Sequence, residues 1–475
     1  MNVRSVYIFP DDTLIEEREH VTHVMGQVRK HSGPVIQPDM PSDLGGVTFP
    51  NVIFDEEEKI FKAWYSAQPR AIERHVSDPL ESSLSPTLTG YATSSDGIQW
   101  EKPRLGIVEV DGLRDNNICD SVHVESLVKD NHESDVSRRY KRLMYDSSKR
   151  SLHILFSADG IHWTWPTKDK PLFESWDVIH DTHFLMGWDE KLGKYVAFLR
   201  PPVSLDPHRL RKIGVSMTSD CLDWPAPDIV LEADELDPDG HDNKGDPRGM
   251  DLYQMAAFSY GQGYLGFLNN FDAQLAKEFN DPIYVTLASS LDCRQWNRPL
   301  RSRFFSTGNP GEFDSGMVYA SSKPVIFDDE ILIYYCGYPH AHTGWCPAHA
   351  AVDPEASAAV GLAKLRLDGF VGLYTNPYPG RLVTVPLTVD GTRMLVNCIP
   401  DKRNDGWLRV EIQDESMKPL DGFTRDECRP ITSEGLYNEI SWTSGRLISG
   451  LRGRKIRVCL YQWENVFYAF RFVDD

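Results

Sequence analysis

The chain has 475 residues, 41% hydrophobic and 11% aromatic, enough for two or three domains with large cores. Its 70 acidic residues outweigh 50 dispersed basic ones, which excludes nucleic acid and anionic membrane as partners and suits a neutral ligand. No run approaches a membrane span, Met1 to Lys30 lacks a signal-peptide pattern, and the eight scattered cysteines include no Cys-x-x-Cys pair, so a cytoplasmic setting without disulfide or zinc frame is expected.

Residues 1–32 are expected to pack on whatever follows. Val47 to Asp55 and Phe61 to Tyr65 read as a hairpin. Leu88 to Thr93 then runs into Ser94-Ser95-Asp96-Gly97-Ile98-Gln99-Trp100. The same sequence of strand and turn returns at Ser157-Ala158-Asp159-Gly160-Ile161-His162-Trp163. It returns again at Thr218-Ser219-Asp220-Cys221-Leu222-Asp223-Trp224 and Ser290-Leu291-Asp292-Cys293-Arg294-Gln295-Trp296. Leu367-Asp368-Gly369-Phe370 is a degenerate fifth copy. In such a turn the Asp accepts backbone N–H groups and the Gly permits positive φ. Further hairpins precede the later copies, at His183 to Arg200, Tyr253 to Leu268 and Met317 to Tyr335. Recurrence of strand-turn-strand units at intervals of about 60–75 residues predicts radial repeats of four strands each. The expected fold class is all-β: a five-bladed β-propeller over 33–375, then a C-terminal β-sandwich over 380–475. The Pro/Gly-rich stretch Asn376-Pro377-Tyr378-Pro379-Gly380 joins them, and short alternating strands follow it.

In a propeller the starts of the inner strands converge on one mouth of the central channel. Acids stand there in several repeats: Asp39 and Asp43, Asp120, Asp177 and Asp181, Asp246 and Asp251, and Asp314 after Glu312. Glycoside cleavage needs one carboxyl to protonate the leaving oxygen and a second as nucleophile or base. The candidate catalytic residues are Asp181, Asp251 and Asp314, with Asp43 as a stabiliser. The candidate substrate contacts are Trp64, Arg200, His180, His183, Asn117 and Glu312, since aromatics stack on sugar faces and Arg forks onto hydroxyls. His180, Asp181 and His183 do not all face one side of a strand, so no metal is expected there. The loop with His340, His342, Cys346 and His349 reads as a solvated rim. No cofactor is expected.

With these residues in view, the chain resembles the glycoside hydrolases of the invertase/fructanase (family 32) and arabinanase (family 43) superfamily, and bacterial relatives labelled family 32 N-terminal-like. The matching stretches are Gly90 to Pro103, Asp115-Asn116-Asn117-Ile118, Asp251 to Phe258, Phe313 to Ala320, and Arg381-Leu382-Val383-Thr384 through Phe472. The resemblance implies a sugar-active propeller. The chain departs from the invertase pattern: Pro38-Asp39-Met40-Pro41-Ser42-Asp43 stands where a Trp-Met-Asn-Asp-Pro-Asn-Gly-like motif belongs, Asp246-Pro247-Arg248 scrambles an Arg-Asp-Pro motif, and the third repeat has no Glu-Cys. The expected activity is hydrolysis of a furanoside or small oligosaccharide. Phosphorolysis is the alternative, with Arg200, Arg248, His180 and His183 holding phosphate. A third reading, a non-catalytic carbohydrate-binding propeller, would show its channel acids salt-bridged or far apart. Homo-oligomerisation is left open.

Overall fold

The structure, a computed structural model, describes residues 6–69, 87–146, 149, 151–166, 169–173, 182–201, 210–237, 240–241, 247–248, 250–271, 283–340, 357–375 and 377–474. It is all-β: strands alternate with turns, and the only helical pieces among the described residues are short 3-10 turns. None is long and apolar enough to cross a membrane.

Five antiparallel sheets follow one another along the chain. The first orders Gly46–Asp55, Ile60–Gln68, Leu88–Ser94 and Ile118–Asp120 side by side. The second runs Ser126–Lys129, Tyr140–Asp146, Ser151–Ser157 and Trp163–Thr164. His183–Asp189, Lys194–Leu199, Ile213–Thr218 and Asp228–Leu231 make the third. The fourth comprises Asp251–Tyr260, Gly263–Phe271 and Ile283–Ser290, and bridges at Asn297 and Phe305 extend it. In the fifth, Met317–Tyr319 and Val325–Phe327 both pair with Glu330–Tyr338, which pairs with Ala359–Arg366. Its outer strand, Arg29–Lys30, comes from the other end of the chain.

The first strands of these sheets are not paired with one another, so polar side chains bridge them. Asn51 accepts from the Leu127 N–H at 2.8 Å and donates to the Glu125 carbonyl at 3.3 Å. Ser126 exchanges bonds with the Leu185 backbone at 2.6 and 3.3 Å. Gln254 donates to the His183 carbonyl at 2.9 Å, and Asn269 makes two 2.9 Å bonds with the Ala320 backbone. Ser321 donates to the Pro50 carbonyl at 3.4 Å. The relay runs through all five sheets and ends on the first. Every link satisfies backbone groups that would otherwise be stranded in a buried hub.

The repeated turns do what their residue types predict. Asp96 and Asp159 each accept two backbone N–H groups at 2.8 Å, and Asp292 does the same. The Gln99 and Ile98 N–H groups hold Asp96 below the usual carboxylate range. For Asp159 the turn bonds outweigh partial burial and bring it down to about 2. Gly97 and Gly160 have φ of 73° and 78°, and Cys293, standing where the phrase has Gly, takes φ 61°. Asp368, from the degenerate copy, differs. It is 1% exposed, accepts from Tyr260 at 2.7 Å, and pairs with Arg471 of the last strand. It joins the fifth sheet to the C-terminal part of the chain.

Two further sheets occupy that part. One orders Thr22–Met25, Val371–Thr375, Asn465–Val473, Arg393–Pro400 and Gly435–Glu439, with Val6–Ile8 beside Asn465–Val473. The other orders Ile15–Glu19, Gly380–Thr384, Lys455–Trp463 and Leu387–Thr388, with Trp407–Gln413 also on Lys455–Trp463. Val396, Phe467 and Phe470 of one meet Leu382, Val410 and Val458 of the other in a single apolar core. The N-terminal residues thus supply strands to three sheets. All cysteines among the described residues are buried and unbridged.

Candidate functional site

Residues at or near the starts of the first strands of several sheets come together. Thr182 donates to the Tyr253 carbonyl at 3.1 Å, and the Tyr253 ring meets Tyr319 edge-on at 5.9 Å. Tyr319 in turn contacts Phe49 at 5.3 Å. Glu125 closes the gap to the third sheet: its Oε2 accepts from the His183 backbone N–H and lies 3.2 Å from His183 Nδ1, while His123 Nε2 stands 3.4 Å from Oε1. Glu125 is 4% exposed, and no lysine or arginine reaches it among the described residues.

Cations gather on the neighbouring Thr182 and Tyr253. Arg200 donates to Thr182 Oγ1 at 2.6 Å and lies over the Tyr253 ring at 5.4 Å. Arg211 lies over the same ring at 4.9 Å. The Tyr319 hydroxyl has no hydrogen-bond partner among the described residues, and burial pushes it well above the usual phenol range, with Tyr253 and Glu125 acting in the same direction.

Of the acids expected to be catalytic, Asp181 lies outside the described residues, as do His180, Asp177 and Asp246. The other three are each held by a cation. Asp251 is fully buried and accepts from Arg211 Nη1 at 2.7 Å and from the Arg211 N–H at 2.8 Å, so it aims that guanidinium at the hub. Asp43, also fully buried, takes Lys102 Nζ at 2.5 Å and the Asp39 and Met40 N–H groups at 3.0 and 2.9 Å. Burial nevertheless lifts its carboxyl above the ordinary value. Asp314 takes Lys30 Nζ at 2.6 Å and Tyr335 OH at 2.9 Å. No hydrogen bond and no common partner joins these three among the described residues.

Asp43 and Asp314 are copies of one device. Tyr65 OH approaches Asp43 Oδ2 at 3.4 Å as Tyr335 OH approaches Asp314. Lys102 sits over the Tyr65 ring at 5.8 Å, and Lys30 over the Tyr335 ring at 5.3 Å. Gly90 and Gly361 stand opposite the two tyrosines, and a Cβ on either would come within 2.5 or 2.3 Å of the ring. An Asp–Tyr–Lys clamp of this form ties the entry of a sheet to its second strand and outer edge.

Several expected substrate contacts serve packing. Trp64 is fully buried against Tyr91 and Tyr140 and donates to the Gly160 carbonyl at 2.7 Å, which locks the second turn onto the first sheet. Asn117, equally buried, donates to Tyr65 OH at 2.6 Å and belongs to the first clamp. Glu312 is exposed and accepts from the Asn309 N–H at 2.6 Å, away from the hub. Arg200 and His183 do lie at the hub end. Glu125, which the sequence reading missed, is signalled by His123-x-Glu125, since alternate residues of an extended segment share a face. Among the described residues no cluster of His, Cys, Asp and Glu fits a metal ion. His340 is partly buried, and His342, Cys346 and His349 lie outside the described residues.

No family profile matches the sequence, and no curated protein matches it. Several solved structures share part of the backbone course. The β-1,2-mannobiose phosphorylase of Listeria innocua, complexed with β-1,2-mannobiose, is 11% identical over 72% of this chain and 97% of its own, with a TM-score of 0.46. A GH130-family structure, from mannoside phosphorylases that include glycoside hydrolases targeting β-1,2-mannosidic linkages in Candida mannan, is 14% identical over 71% and 94%, with a TM-score of 0.44. A glycosyl hydrolase from Bacteroides ovatus is 13% identical over 71% and 94%, with a TM-score of 0.44. Likenesses this loose say nothing about which reaction this chain performs.

Proposed function

We propose that the chain processes glycosidic bonds at the mouth of a five-bladed propeller hub formed by residues 33–375 and backed by a β-sandwich of residues 380–475. The observation that carries this reading is Glu125. It is a buried carboxylate at the meeting point of the inner-strand entries, flanked by two imidazoles and, among the described residues, paired with no lysine or arginine. In that role Glu125 passes a proton to or from the glycosidic oxygen. Tyr253 offers a ring edge to a sugar, and Tyr319 backs it. Asp181, next in sequence to Thr182, is the proposed second carboxylate. Asp251 acts by aiming Arg211, and Asp43 and Asp314 act by holding the sheets in place. The substrate is a neutral carbohydrate, and no cofactor is needed for this chemistry.

Hydrolysis and phosphorolysis are both open to such a site. Arg200 and Arg211, both over the Tyr253 ring, favour a place for phosphate, because guanidinium forks bind its oxygens in pairs. The deciding experiment follows sugar release from a panel of disaccharides, with and without inorganic phosphate, for the wild type and Glu125→Gln. Release that depends on Glu125 supports the site, and its dependence on phosphate names the reaction. Release unchanged in Glu125→Gln overturns the assignment.

A further inference from the structure

Outside the hub, a cleft of about 790 Å³ opens between the fourth and fifth sheets. One wall is the closing strand and its continuation, Lys30 to Pro34, and the other is the segment from Arg303 to Asp314, with Tyr335 at the back. None of these residues belongs to the cluster around Glu125. The volume lies within the range of small-molecule sites, about 300–1,000 Å³.

Its chemistry is that of a saccharide site. Three rings form the apolar surface: Phe305 meets Tyr335 at 5.2 Å, and Phe313 lies nearly parallel to Tyr335 at 6.2 Å. Asp314 is 98% buried, and its bonds from Lys30 and Tyr335 both fall on Oδ2. Its Oδ1 has no hydrogen-bond partner among the described residues, and it faces a glycine: a Cβ on Gly308 would come within 2.1 Å of it. That oxygen is left to accept from whatever enters the cleft. Lys30 is paired with Asp314, and Glu312 accepts from the N–H and side-chain amide of Asn309. The other polar groups on the lining are the Arg303 guanidinium, the His31 imidazole, the Asn309 amide and the hydroxyls of Ser32, Ser306 and Thr307.

We infer that this cleft is a second binding site, for a neutral mono- or disaccharide, with one hydroxyl donating to Asp314 Oδ1 and a ring face against Phe313. Because its walls come from opposite ends of the chain, an occupant ties the closing strand to the fourth sheet. Binding therefore raises the melting temperature in proportion to the logarithm of saccharide concentration. The site does not depend on the chemistry at Glu125.

Saturation-transfer NMR and melting curves on the full chain test this, with cellobiose, maltose and sucrose as probes and glucuronate and glucose 6-phosphate as charged controls. Transfer to at least one neutral sugar is expected, with a rise in melting temperature. Asn309→Ala at the exposed rim should weaken it about fivefold, the worth of one neutral hydrogen bond. Gly308→Ala and Phe313→Ala should abolish it, whereas Glu125→Gln should leave it unchanged. Absence of binding by all three neutral probes, preference for the charged sugars, or binding that survives both Asn309→Ala and Gly308→Ala would overturn the inference. Loss in Glu125→Gln alone would return the signal to the hub.

Discussion

Lys102→Met is the sharpest test of the clamp reading, because it removes a charge and keeps the stem. Lys102 is 8% exposed and Asp43 is fully buried, at 2.5 Å. Removing one partner of such a pair strands the other, which costs about 3–5 kcal/mol. The cost depends on pH in a direction that can be worked out. Burial already lifts the Asp43 carboxyl, with Lys102 as its main opposing influence. A raised carboxyl pKa means that the folded chain holds the proton more tightly than the unfolded one. The associated stability is full at low pH and is lost as pH rises through the folded value. Without Lys102 the folded value rises further. The deficit of Lys102→Met against the wild type should therefore be largest near neutrality and shrink as the pH falls and Asp43 takes up its proton. Urea unfolding midpoints of both proteins at about pH 5 and about pH 8 measure this. Asp43→Asn should cost less, since Asn can still accept the two backbone N–H groups and Lys102 keeps Asp39 at 2.5 Å. A deficit below about 1 kcal/mol, the worth of an exposed pair, or one that does not change with pH, refutes the clamp.

Gly90→Ala and Gly361→Ala should each destabilise by about 1–3 kcal/mol through overpacking against Tyr65 and Tyr335, while Gly450→Ala, with no atom within 4 Å of its Cβ, should be near neutral in the same melts. Asp368→Asn should cost about 3–5 kcal/mol by stranding Arg471, read as a lowered unfolding midpoint. Glu125→Gln should lower glycosidic turnover by about 10²–10⁴-fold while leaving the melting temperature close to wild type.

The turn phrase was legible because its bonds are local. Asp96 binds residues two and three places along, so the motif and the interactions that enforce it occupy the same few letters. The clamps were not legible, because their parts are far apart: Lys102 reaches Asp43 across 59 positions, and Lys30 reaches Asp314 across 284. What the sequence displayed was only the recurrence of an acid ahead of the inner strands, and recurrence invites two explanations. A catalytic centre needs its acids at one place in the ring, each in a different role, so nothing in chemistry requires the same residue at equivalent positions of two sheets. A fold does require it, since each sheet meets the same problem of anchoring its entry to its second strand. Asp43 with Tyr65 and Gly90, repeated as Asp314 with Tyr335 and Gly361, is that second kind of recurrence. Glu125 has no copy in either clamp, and no lysine or arginine pairs with it among the described residues. Among repeated sheets, the residues that break the shared pattern are therefore better guides to chemistry than those that keep it.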